Sequence, residues 1–201
     1  KDKEGVKVFL DDYAYLIQLM INFYELTGEI TYLNNAKDMS QKTWDLFYDN
    51  NNKILQKNLI EKNDLFVPPS DVNDSNIPNG NSIFLLNCKK LEVITGEKKW
   101  QNMTKELTQS FHSFLNLQST QMVSYIKNLD ICEDAQTFTF FGSINKNKNL
   151  HQYIKKNYFK SSTFIYKDNS KENYLIICKN QTCSNKIKTL EELKAVVKNY
   201  A

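Results

Sequence analysis

The stretch LDDYAYLIQLMINFYELTGEITYL, residues 10–33, decides how the chain is read. From Leu10 to Leu26 the apolar residues fall on almost every side of a helix, and only Asp11, Asp12, Gln18, Asn22 and Glu25 interrupt them. Steps of 7, 4 and 3 place Asp11, Gln18, Asn22 and Glu25 on one narrow line, which predicts a helix buried on most sides with a polar line toward a cavity or solvent. Thr27-Gly28-Glu29 then interrupts the pattern, with Gly28 suited to the left-handed residue that ends a helix. Between Tyr32 and Tyr48 the apolar set Tyr32/Leu33, Ala36, Met39, Thr43, Phe47 keeps to one face, as expected for an outer, half-exposed helix.

The pair recurs. Ile83 to Ile94 is apolar on many sides, whereas Trp100, Met103, Leu107, Phe111 and Phe114 form a single stripe, and Thr95-Gly96-Glu97 repeats the earlier joint at an offset of 68 residues. Alternation of an all-round apolar helix with a one-sided helix is what a double-layered α/α toroid requires, inner helices buried and outer ones half-wet. A plain helical bundle is the alternative, and it does not need the alternation. The reading is therefore a mainly α chain: part of an α/α toroid over 1–134, then a small α/β subdomain over 135–201. The second part rests on strand-like 137–144, 162–167 and 173–178 and helical 149–159 and 189–200, the last opened by a capping box of Thr189 and Glu192.

Composition excludes several functions. Among 201 residues the net charge is only +3, all 26 basic residues are Lys, and they are scattered among 23 acids. Without Arg the chain lacks the side chain best suited to bidentate recognition of phosphate or guanine edges, so neither nucleic acid nor a membrane surface is expected as a partner. No apolar run approaches the ~20 residues of a membrane span and no signal peptide is visible, which points to the cytoplasm. The start without Met suggests a piece of a longer protein. Gly142 stands alone in the α/β part, so no nucleotide cofactor is expected, and Cys178 and Cys183 lack the further ligands of a zinc site, so no metal is expected either.

In a toroid the inner helices run parallel and their N-termini gather at one mouth, where unpaired N–H groups favour anionic or oxygen-rich ligands. SNIPNGNS, residues 75–82, supplies the cap and first turn of the second inner helix, with Asn79, Asn81 and Ser82 as hydrogen-bonding candidates. Asp11, Asp12 and Tyr13 hold the equivalent place on the first, and Asp71 and Asp74 stand just before the second. Asp11, Asp12 and Asp74 are the candidate acids or bases, and Tyr13, Asp71, Asn79, Asn81 and Ser82 the candidate ligand binders. Simple capping is the competing explanation for each residue singly, and Asp11 and Asp12 cannot both be the cap. His112 and His151 read as surface or packing residues, and Cys88 and Cys132 as core thiols. Cys178 and Cys183 have four residues between them, leaving a plain thiol pair, a disulfide or a redox relay open.

LDDYAYLI, the D-x-x-D-x-x-x-P-x-G-N-S block from Asp71 to Ser82, the two Thr-Gly joints and Cys178-x-Asn180-x-x-Cys183 followed by Glu191-Glu192-Leu193 resemble the C-terminal part of the YyaL and spermatogenesis-associated protein family. The resemblance implies an upstream thioredoxin-like domain and a six-hairpin α/α barrel similar to N-acylglucosamine 2-epimerases, of which only the last hairpins would be present. It implies a carbohydrate-binding or carbohydrate-modifying role, a sugar or other hydroxyl-rich ligand, and the missing hairpins and redox domain as partners. The alternative is a non-enzymatic interaction module serving the redox domain. An incomplete ring also implies an uncovered flank on the first helix, placed at Tyr15, Leu19 and Tyr24, and a homo-oligomer.

Overall fold

A computed structural model describes residues 9–58, 72–133, 135–157, 161–168 and 170–198. The chain is mainly helical and divides into two compact units, Lys1–Tyr24 with Glu29–Asn128, and Glu25–Gly28 with Leu129–Ala201. The first unit contains α1 (Leu10–Thr27), α2 (Ile30–Phe47), a short antiparallel ribbon of β1 (Tyr48–Asp49) and β2 (Ile54–Leu55), α3 (Gly80–Thr95) and α4 (Lys98–Gln118). Helix α5 (Val123–Glu133) comes next and runs across the division between the units.

The repeated joint has the same geometry twice. Gly28 and Gly96 take the left-handed conformation at φ +75° and +71°. Glu29 and Glu97 come after them in extended backbone, and their carbonyls accept from Tyr32 N and Trp100 N at 3.2 Å each. Gly is required because a side chain in this region costs about 1 kcal/mol or more. At Gly28 a Cβ would also meet Ile144 Cδ1 at 2.7 Å, whereas at Gly96 it would meet nothing.

Aromatic contacts set the helix directions. Tyr13 meets Phe47 edge-on at 5.5 Å and Phe23 stacks on Tyr32 at 5.2 Å, so α2 runs back along α1. Asp11 lies against Gly80, and Asn87 Nδ2 donates to the Ala14 carbonyl at 2.8 Å, so α1 and α3 advance together from neighbouring N-termini. The close approach needs Gly80: a Cβ there would stand 3.2 Å from Asp11 Cα and closer still to its carboxylate. In the second pair Gly80 through Cys88 are all buried, whereas past Cys88 only Leu91 of α3 is, and α4 buries Trp100, Met103, Leu107 and Phe111 along one stripe.

Helix α1 departs from expectation. Its exposed line is apolar, with Leu16, Leu19 and Phe23 at 41%, 48% and 39% exposure, and Tyr24 is buried rather than part of an uncovered flank. The polar line is instead engaged at both ends: Asp11 is turned to Gly80, and buried Glu25 accepts from Phe164 N at 3.2 Å. A carboxylate is tolerated there because a backbone donor meets it.

The second unit holds β3 (Gln136–Phe141), α6 (Lys148–Lys156), β4 (Ser162–Lys167), β5 (Tyr174–Lys179), β6 (Thr182–Cys183) and α7 (Leu190–Val197). The sheet order is β4-β3-β5-β6, with β3 and β4 parallel through the α6 crossover and the remaining pairs antiparallel. Alternation along β3 and β5 turns Phe138, Phe140, Leu175 and Ile177 to one side, where Leu150 and Ile154 of α6 and Leu193 and Val197 of α7 complete a core. The capping box at α7 forms as expected, Thr189 accepting from Glu192 N and Glu192 from Thr189 N, both at 3.2 Å. His151 is a packing residue, edge-on to Phe140 at 5.2 Å, with Nε2 2.6 Å from the Tyr166 hydroxyl. That hydroxyl donates its one proton to the Glu25 carbonyl at 2.7 Å, so His151 carries its hydrogen on Nε2.

Candidate functional site

The neighbouring N-termini of α1 and α3 bring Asp11, Tyr15, Asp74 and Pro78 into one corner. Tyr15, one turn after Asp11, donates its hydroxyl to the Pro78 carbonyl at 2.9 Å. Burial holds its phenol above the ordinary range, and the carboxylates of Asp11 and Asp74 add to the effect. Sequence reasoning missed Tyr15 as a polar participant because its ring fits the apolar pattern. Its place one turn beyond an acid was the available signal.

The remaining candidates are held by protein partners. Asn79 caps α3, its side-chain oxygen accepting from Asn81 N at 2.8 Å, and its amide donates to Asn73 O at 3.1 Å. Asn81 is 1% exposed and grips β2 from both sides, accepting from Leu55 N at 3.0 Å and donating to Leu55 O at 2.8 Å. Asp74 accepts from Asn79 N at 2.9 Å, from Ser124 N at 2.6 Å and from the Ser124 hydroxyl. It thereby serves the first turns of α3 and α5 at once, an acid placed where a helix dipole favours negative charge. Ser82 is buried and its hydroxyl has no hydrogen-bond partner among the described residues, while its carbonyl accepts from Asn128 Nδ2 at 2.8 Å.

Neither aspartate of α1 is its cap. Asp11 and Asp12 both lie inside the first turn, and exposed Asp12 reaches back to accept from Phe9 N at 3.3 Å. Tyr13 packs on Phe47. Asp71 lies outside the described residues. The corner is also narrowed by a segment that sequence reasoning did not foresee, the β1–β2 ribbon continued as far as Lys57. Leu10 N donates to Lys57 O at 2.9 Å, and Asn81 holds Leu55. The ribbon is tied by Asp49: burial works against its ionisation, but the Asn51 N–H and the Asn52 and Gln56 amides outweigh burial and keep its carboxyl below the ordinary range. The signal was the run Asp49-Asn50-Asn51-Asn52, a turn sequence between two short apolar stretches.

In the second unit Cys178 and Cys183 are joined by a disulfide across the β5–β6 hairpin, where they face each other in register. The turn residues Asn180 and Gln181 both have positive φ, 49° and 63°, the pattern of a two-residue hairpin turn usually supplied with Gly. Replacing Gln181 by Gly is expected to stabilise the unit by about 1 kcal/mol, because glycine adopts this backbone without the side-chain clash. Urea unfolding monitored on the full chain checks it, and an unchanged midpoint would mean the turn carries no strain. A concavity of about 500 Å³ opens beside Cys183, with Lys179 and Asn185 on its wall. Cys88 is a buried core thiol whose ionisation burial opposes. His112 is on the surface of α4 with Nδ1 3.0 Å from the Tyr125 hydroxyl.

Among the described residues no three His, Cys, Asp or Glu side chains converge to hold a metal, and no helix is long and apolar enough to cross a membrane. Compared with protein families and with curated proteins, the chain gives no match.

Proposed function

We propose that the chain is part of an α/α toroid of the YyaL and spermatogenesis-associated kind, and that the corner between α1 and α3 binds a hydroxyl-rich small molecule such as a sugar. The observation that carries this reading is the state of the acids. Asp74 and Asp12 are already hydrogen-bonded by backbone donors, whereas Asp11 stands at the two parallel N-termini with the Tyr15 hydroxyl close by. One carboxylate with neighbouring backbone N–H groups can orient sugar hydroxyls, but acid–base catalysis requires a second free group opposite it. The role is therefore binding, with catalysis dependent on groups beyond these residues. Calorimetry with glucose, mannose, N-acetylglucosamine and their short oligomers tests it. Asp11→Asn is expected to weaken the bound sugar at least ten-fold while leaving the unfolding midpoint in place. No heat from any sugar, or equal binding by the variant, removes the reading.

A second reading, an interaction module for a thioredoxin-like redox domain, is favoured by the disulfide, with Cys183 exposed beside an open concavity. In that reading a small thioredoxin-type dithiol reduces Cys178–Cys183 under native conditions. Thiol titration before and after treatment decides it, an unchanged count counting against the module.

A further inference from the structure

The two sulfurs of the Cys178–Cys183 disulfide are chemically alike but placed differently in the sheet. The strand order β4-β3-β5-β6 puts Cys178 on an interior strand and Cys183 on the edge, with no strand beyond β6 among the described residues. Cys178 has a neighbour on each side, Thr137 of β3 in one direction and Cys183 in the other. Cys183 has Cys178 on one side and the open edge on the other, and it is exposed where Cys178 is half-buried. Leu175 and Ile177 turn toward α6 and α7, so Cys178, which alternates with them, stands with Cys183 on the opposite face of the sheet.

That placement decides which sulfur a thiol can reach. A thiolate breaks a disulfide by approaching the attacked sulfur in line with the S–S bond, from the side away from the leaving sulfur. The bond here joins β5 to β6, so its axis runs across the strands. Approach to Cys183 along that axis comes from beyond the sheet edge. Approach to Cys178 comes across β3, where Thr137 stands in register and occupies the path. The presentation of Cys183 also outlasts the bond. Ser184 N donates to Ile177 O at 2.8 Å and Ile177 N to Ser184 Oγ at 3.1 Å, and neither bond involves a sulfur.

We infer that Cys183 is the point at which a dithiol partner becomes covalently joined to this chain, with Cys178 as the leaving thiol. The inference rests on the redox-module reading, in which such a dithiol reduces this pair. The partner's thiolate forms a bond to Cys183 Sγ as the bond between the two Sγ atoms breaks, and the electron pair goes to Cys178, whose thiolate takes a proton from water. The partner's second thiol gives up its proton, attacks the partner's own sulfur in the mixed disulfide and releases Cys183, which is protonated in turn. The pair ends as two thiols and the partner as a disulfide, so electrons and protons balance.

A thioredoxin-type protein with its second cysteine replaced by serine tests this, because it forms the mixed disulfide but lacks the thiol that resolves it. The oxidised full chain is mixed with it, remaining thiols are alkylated at once, and the joined species is digested with trypsin without reduction. Cleavage after Lys179 separates ENYLIICK, residues 172–179, from NQTCSNK, residues 180–186, so mass spectrometry reads partner and label on each cysteine. The partner is expected on Cys183 and the label on Cys178, in excess over the reverse arrangement by about ten-fold or more. As a second measurement, with Cys132→Ser in both, the Cys178→Ala chain is expected to take up glutathione from glutathione disulfide about ten-fold faster than the Cys183→Ala chain. A pair that the intact dithiol reduces but that joins the partner through Cys178, through both sulfurs equally or through neither, or equal glutathione uptake by the two variants, overturns the inference while the redox-module reading stands. A pair that the intact dithiol leaves oxidised removes both.

Discussion

Replacing Asn81 by Leu lowers the stability of the first unit by about 3 kcal/mol, the expected result of orphaning two buried backbone groups at about 1 to 3 kcal/mol each. The asparagine amide supplies both the acceptor for Leu55 N and the donor for Leu55 O, at a site 1% exposed where water cannot take its place. Leucine has the same branching and is somewhat larger, so the loss does not come from a cavity, and Asn81→Asp, which keeps the shape and the acceptor but loses the donor, separates the hydrogen bonds from crowding. Urea unfolding of wild type and variant measures it. A difference below about 1 kcal/mol would mean that the β1–β2 segment finds other partners, given how cheaply a solvated polar group is replaced. The experiment also bears on the site. If Asn81 holds the ribbon, its substitution changes stability first, and any change in sugar binding results from a displaced ribbon.

The second large effect is a loss of stability between pH 6.5 and pH 4 that depends on His151. Burial among Phe140, Phe164 and Tyr166 and the positive charge of Lys155 depress its folded value to about 4, the hydrogen bond to the Glu25 backbone opposing them in part. Above pH 6.5 the imidazole is neutral folded and unfolded, and its full contribution is present. As the pH falls the unfolded chain takes up the proton and the folded one does not, so stability is lost progressively until the folded value is reached. The full difference approaches about 3 kcal/mol, and about 2 kcal/mol at pH 4.5 is expected once partial solvent access is allowed for. His151→Gln should flatten the profile in this window while leaving the carboxylate-driven loss below pH 4, where Asp49 and Glu97 take up protons that their hydrogen bonds now exclude. A wild-type profile flat from about pH 7 to pH 4.5 would show that the histidine opens to water at little cost.

What the sequence by itself determined here are the features whose causes are local. The helix-ending glycines at 28 and 96, the one-sided stripe of α4, the strand-like runs that become β3, β4 and β5 and the Thr189 capping box each depend on residues within a few positions, and each formed as read. Repetition helped, because the same Thr-Gly-Glu joint stated the same local problem twice. Only the tertiary structure decided what distant groups did with the polar residues. Asp74 could be a catalyst or a cap until Ser124, 50 positions away, was seen to donate to it, and Asn81 could be a ligand binder until Leu55 was found in its grip. The outward face of α1 was undetermined for the same reason. A helix apolar on most sides exposes whichever side its neighbours leave, and α1 has Asp11 turned to Gly80 and Glu25 buried at the ends of its polar line while Asn22, Leu16 and Leu19 stay in water. Periodicity specifies that a face is apolar, whereas burial of that face is settled by which surfaces reach it first and bury the most area there.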